Sequence, residues 1–121
     1  MQNAAQAYGS VARQIANPRE LEANLLLTAA ARLQGIREAW EDRKAELEDA
    51  LLYNRKLWTI FLTSVTAADN ELPAEIRQNV ANLGLFVMNE TREVSGNPRP
   101  EPLASLININ RELAAGLLAK V

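Results

Sequence analysis

The stretch LLYNRKLW, Leu51 to Trp58, decides how this chain is read. With its flanks it places Leu47, Leu51, Asn54, Trp58, Phe61 and Val65 at three- and four-residue steps. That is the period of one helix face turned toward a core. Asn54 lies on that face, seven residues after Leu47 and seven before Phe61, so it points inward. The same Asn-Arg pair returns as Asn110 and Arg111 in LININREL, with Asn110 seven residues after Leu103 and seven before Leu117. A buried amide is costly unless its donors and acceptor are satisfied. Two readings follow. Each Asn bonds a neighbouring helix backbone and fixes register, as a polar core position does, or the two helices flank a groove that holds polar groups for a partner. Arg55 and Arg111 sit about 100° further round their helices, with no acid three or four residues away. Their partners are therefore tertiary, intermolecular or water.

The rest of the chain reads as helix. Ala4 to Ile15 carries Ala4, Tyr8, Val11 and Ile15 on one face, weakened by Gly9 and Ser10. The second segment has a start signal: Asn17 to cap, Pro18 at the first helical position and Glu20 three residues after the cap. Leu21, Leu25, Ala29, Leu33, Ile36 and Trp40 follow as its apolar stripe. The third runs from about Asp42 to Thr66. Nothing between Gly35 and Asp42 forces a break, so one long bent helix stands beside the favoured reading of two. ADNELPAE is a turn that delivers Pro73 as the first residue of a fourth helix reaching about Val94. At its centre LGLFVM, Leu83 to Met88, reads as a short buried strand or as a helix buried on most sides, and the helical period of PAEIRQNVAN favours the helix. SGNPRPEP ends it, with Gly96 as C-cap and prolines making an extended connector. The last helix begins near Pro102, striped by Leu103, Leu106, Asn110, Leu113 and Leu117. The expected fold is all-α, a single-domain helical bundle of about five helices spanning 1–121.

Composition removes most chemistry. The chain has no His and no Cys, so imidazole bases, thiolate nucleophiles, disulfides and the usual zinc ligands are absent together. Its acids lie mostly beside Lys or Arg, as in REAWEDRKAELED, the pattern of a solvated face. No Gly-rich phosphate loop occurs. No catalytic residue, metal or cofactor is expected. A net charge of −2 and a pI near 5.2 lack the basic footprint of a nucleic-acid binder. No apolar run approaches the ~18 residues of a membrane span, and MQNAAQAYGS carries no secretory signal, so a cytoplasmic location is expected.

The two Asn-Arg segments echo one another at an offset of 56, through Leu51/Ile107, Tyr53/Ile109, Leu57/Leu113, Phe61/Leu117 and Leu62/Leu118. In order and spacing, ALLYNRKLW, LPAEIRQNVANLGLFV and PLASLININRELAAGL resemble the FlaF family of alphaproteobacterial flagellar biosynthesis regulators. AYGSVARQIANPRELEANLLLTAAARL is similar to that family's N-terminal half. The family pattern maps onto Asn54, Arg55, Leu57, Trp58, Leu72, Pro73, Arg77, Asn110, Arg111, Gly116 and Leu117, and the chain departs from it at the 35–46 connection, longer or more charged here. The resemblance implies a non-enzymatic role in flagellin production: a cytosolic secretion chaperone that binds flagellin and promotes or regulates its synthesis and export. The alternative is a post-transcriptional regulator acting through FlbT without holding flagellin. A third possibility is a structural module that homodimerises through LGLFVM. Asn54, Arg55, Trp58, Asn110 and Arg111 are the expected partner-binding residues. Flagellin is the expected partner, with FlbT a second, and neither nucleic acid nor membrane is expected to bind directly.

Overall fold

The computed structural model describes residues 18–119. The expected helix Ala4–Ile15 and the Asn17 cap lie outside the described residues. Within them the chain is all-α and contains no strand, with four long helices: α1 Pro18–Glu38, α2 Leu47–Thr66, α3 Ala74–Gly96 and α4 Leu103–Leu118. LGLFVM lies inside α3, so the helical alternative holds.

The second and third expected helices are separate. Between them lie a single helical turn, Trp40–Arg43, and a 3-10 turn, Lys44–Glu46. The chain leaves helical geometry at Ala39 (φ −117°, ψ 47°) and again at Arg43 (φ −120°, ψ 2°). Arg43 holds this elbow. Its Nε and Nη2 donate to the two Glu46 carboxylate oxygens at 2.8 and 3.0 Å, a bidentate fork that also lowers the Glu46 pKa. A Cβ at Gly35 would collide with the Arg43 guanidinium, so glycine there lets the fork lie against the α1 backbone.

α1 packs chiefly on α4 and also on α2, and α2 packs on α3. The α2 stripe read from sequence is buried throughout, at Leu47, Leu51, Asn54, Trp58, Phe61 and Val65. In α1 the buried face is Ala23, Leu26, Ala29, Ala30, Leu33 and Ile36. Leu21 and Leu25 are only partly buried, because the buried face is centred on Leu26, Leu33 and Ala30 and helical phase turns those two leucines to its edge.

α3 differs most from expectation. Its buried positions, Val80, Gly84, Val87, Thr91 and Val94, form one narrow seam. Leu85 is 61% exposed and Phe86 44%, so LGLFVM is not buried on most sides. Among the described helices α3 packs chiefly on α2, with a smaller contact to α4. Gly96 does not act as a left-handed cap either, since no described glycine has positive φ. α3 ends instead with the Asn97 amide donating to the carbonyls of Glu93 (3.0 Å) and Val94 (3.3 Å). At the other end Asn70 makes the turn, accepting from the Leu72 amide at 2.9 Å and donating to the Ser64 carbonyl at 3.0 Å.

Two glycines make opposite predictions. A Cβ at Gly84 would stand 2.5 Å from Leu62 Cδ2 and 2.8 Å from its Cγ. Gly84→Ala should therefore destabilise by about 1–2 kcal/mol, overpacking outweighing the gain in helix propensity. A Cβ at Gly116 would meet nothing within 4 Å, so Gly116→Ala should stabilise by up to ~0.5 kcal/mol. Thermal melts of the two variants check both signs, and a stabilising Gly84→Ala would mean that Leu62 swings clear.

Candidate partner-binding site

Helical phase turns Asn54 and Trp58 of α2 toward Asn110 of α4, and the three meet in the core. Each is 0% exposed. Asn110 Nδ2 donates to Asn54 Oδ1 at 2.7 Å and, at 3.4 Å, to the backbone carbonyl of Leu26 in α1. The indole Nε1 of Trp58 donates to Asn110 Oδ1 at 2.9 Å. One amide thus ties three helices at a single level. Asn54 Nδ2 has no partner among the described residues. The two Asn-Arg segments that echo at 56 residues therefore touch through their asparagines. No group in this cluster titrates in the ordinary range, and none reaches solvent. What it does physically is fix the register of α1, α2 and α4, as a buried polar position fixes a coiled coil.

The two arginines remain outside. Arg55 and Arg111 are exposed, and neither side chain makes an ion pair or hydrogen bond within the described residues. The five expected site residues thus divide into a sealed trio and two surface cations, and the structure does not bring those cations to one groove. Arg55 lines a groove of about 480 Å³ between α2 and α3, together with Glu48, Leu51, Leu52, Met88, Thr91, Arg92, Ser95 and Gly96. Arg111 does not line it.

The sequence reading names Met88 only as the end of LGLFVM and passes over Arg92, both α3 residues that line the groove with Arg55. Their signal is present in the chain: Leu85, Met88 and Arg92 recur at helical spacing off the Val80–Val94 seam. Leu52 and Ile60 likewise fall eight residues apart off the α2 stripe and are 47% and 65% exposed. With Arg55, Lys56 and Thr59 they line a shallow hollow beside the groove.

A second cleft of about 410 Å³ lies where α1 begins, floored by Phe61, Val65, Leu72, Val80, Leu113 and Leu117. Glu22 stands at its edge, its carboxyl pKa raised by burial and partly drawn back by Arg19. Among the described residues there is no cluster of three His, Cys, Asp or Glu able to hold a metal. No described helix is long and apolar enough to cross a membrane.

Comparison with known proteins adds one match. The family model described as flagellar protein FlaF covers residues 4–117. No curated protein and no solved structure matches the chain.

Proposed function

The chain belongs to the FlaF family of flagellar proteins, and from that premise we propose that it is a non-enzymatic cytoplasmic protein that binds unassembled flagellin as a secretion chaperone and so regulates flagellin synthesis and export. The observation that carries this reading is the apolar surface left on α2 and α3 after the core is filled: Leu52, Ile60, Leu85 and Phe86 stay exposed. Apolar side chains kept at the surface beside a groove are the usual mark of a binding face. Two packed helices with a groove between them can receive a third amphipathic helix along its apolar face. Flagellin's terminal regions are amphipathic and must stay unassembled before export, which gives such a face an occupant. The amide cluster would then contribute by rigidity, holding the helices at fixed spacing so that the groove is formed before the partner arrives.

The test is calorimetric titration of the protein with monomeric flagellin and, separately, with flagellin leader RNA, each at low and moderate salt. Stoichiometric heat from flagellin, only modestly weakened by salt and lost when its terminal segments are deleted, is the expected result. Phosphate-dominated binding would instead fall by orders of magnitude over the same salt range. RNA heat of that kind with none from flagellin would overturn the chaperone reading. Flagellin-message changes without flagellin binding would promote a regulator acting through FlbT.

A further inference from the structure

The register of α2 and α3 follows from two contacts. Gly84 faces Leu62 and Ser95 Oγ donates to Glu48 Oε1 at 2.9 Å, so the helices run antiparallel. Their groove has an uneven charge pattern. At one end Glu48 is already engaged by Ser95. Along the rest stand Arg55, from α2, and Arg92, from α3, with Lys56 in the adjoining hollow. Arg92 spends one donor, Nη2, on Asn89 at 3.3 Å, and the Arg55 guanidinium spends none within the described residues. This is a local cationic site on a chain whose net charge is −2. Leu52 and Met88 line the groove beside the cations, and Leu52 and Arg55 border both groove and hollow, making them one continuous surface.

We propose that this surface takes an amphipathic helix of a partner protein that carries carboxylates beside its apolar face. Leu52, Met88 and Ile60 receive the apolar side chains, and Arg55 and Arg92 receive the carboxylates. Charge complementarity selects the occupant. Guanidinium groups bind carboxylates through paired donors, and an unbranched methionine adapts to side chains of varied shape. A basic amphipathic helix meets like charge at Arg55 and Arg92 and is rejected. The proposal deepens the flagellin reading and rests on it for the natural occupant.

The experiment titrates the full chain and four variants, Arg55→Glu, Arg92→Glu, Leu52→Asp and the control Arg111→Glu, after melting curves show all four folded. The probes are monomeric flagellin, a helical peptide with leucines on one face and glutamates on the other, and its lysine counterpart. Expected is binding of flagellin and of the glutamate peptide, weakened about tenfold or more by each groove variant through like-charge or desolvation cost, with Arg111→Glu unchanged and no binding of the lysine peptide. Flagellin bound equally well by all variants would overturn the groove and leave the flagellin reading standing. Glutamate-peptide binding lost in Arg55→Glu, with no heat from flagellin, would support the groove and sink the flagellin reading. Self-association of the wild type abolished by Arg55→Glu would assign the surface to a second copy and overturn the proposal. Steeply salt-dependent RNA binding lost in the same variants would overturn it as well.

Discussion

Trp58→Ala is expected to unfold the protein at ordinary temperature or to lower its melting temperature sharply. Trp58 heads the fully buried side chains by volume and is 0% exposed. Its ring meets Phe61 at a centroid distance of 5.8 Å and an interplanar angle of 60°. Truncating a buried aromatic to Ala typically costs ~3–5 kcal/mol through lost transfer energy and the cavity left behind. Here a second cost adds to it, because the indole N–H is the donor that Asn110 Oδ1 accepts. Removing one member of a buried hydrogen bond costs ~1–3 kcal/mol, and a small domain holds only ~5–15 kcal/mol in all. Trp58→Phe separates the two costs, since it keeps most of the apolar volume and deletes the donor. Urea denaturation followed by circular dichroism measures both variants. A Trp58→Ala protein that melts like wild type yet loses partner binding would make Trp58 a contact residue and not a core one.

What can be read from the chain, and what cannot, has a physical division. The α2 stripe is legible because α2 packs on both α1 and α3 and buries a broad face, so its period is strong. LGLFVM in α3 misleads because an apolar run shows that side chains avoid water in some state, not what covers them. Within the described residues α3 packs mainly on α2 and only slightly on α4, and Leu85 and Phe86 stay exposed. The α1 stripe read from sequence shares Ala29, Leu33 and Ile36 with the buried face but misses Ala23, Leu26 and Ala30, because α1 carries apolar residues on overlapping stripes and period alone does not choose between them. Residue type alone makes Gly96 a cap, yet the chain satisfies those carbonyls with the amide of Asn97, at negative φ. The inward direction of both asparagines follows from phase alone. That they bond each other does not, because phase within a helix carries no information on which helices are neighbours. The groove is hidden from the sequence for the same reason: Arg55 and Arg92 are 37 residues apart in the chain and are joined only by the packing of α2 on α3.

The asparagines and arginines should separate cleanly in stability, and the two asparagines should also differ from each other. Arg55→Ala and Arg111→Ala remove exposed side chains without partners among the described residues, so each should stay within ~0.5 kcal/mol of wild type. Asn110→Ala strips the acceptor from Trp58 Nε1 and the donor from Asn54 Oδ1 at once. It should cost about 2–3 kcal/mol, the upper part of the range for stranded buried groups. Asn54→Ala removes a side chain whose own Nδ2 is already unpartnered, and it leaves Asn110 Nδ2 the longer 3.4 Å contact to Leu26. Its cost should be nearer ~1 kcal/mol. The double variant should lose less than the sum, by a coupling of ~0.5–3 kcal/mol expected for residues in direct contact. Asn54→Asp sharpens the test, because it keeps an acceptor for Asn110 and replaces the orphan donor with a group that burial forces to stay protonated. Its folded pKa is raised, so the folded state binds the extra proton. The variant's stability should be greatest below the unfolded Asp value of about 3.9 and fall as pH rises from there to the raised folded value, a slope that Asn54→Ala lacks. Chemical denaturation of the set across pH decides the matter. Equal losses at all four positions, or a pH-independent Asn54→Asp, would mean that the amide pair does not hold α1, α2 and α4 in register.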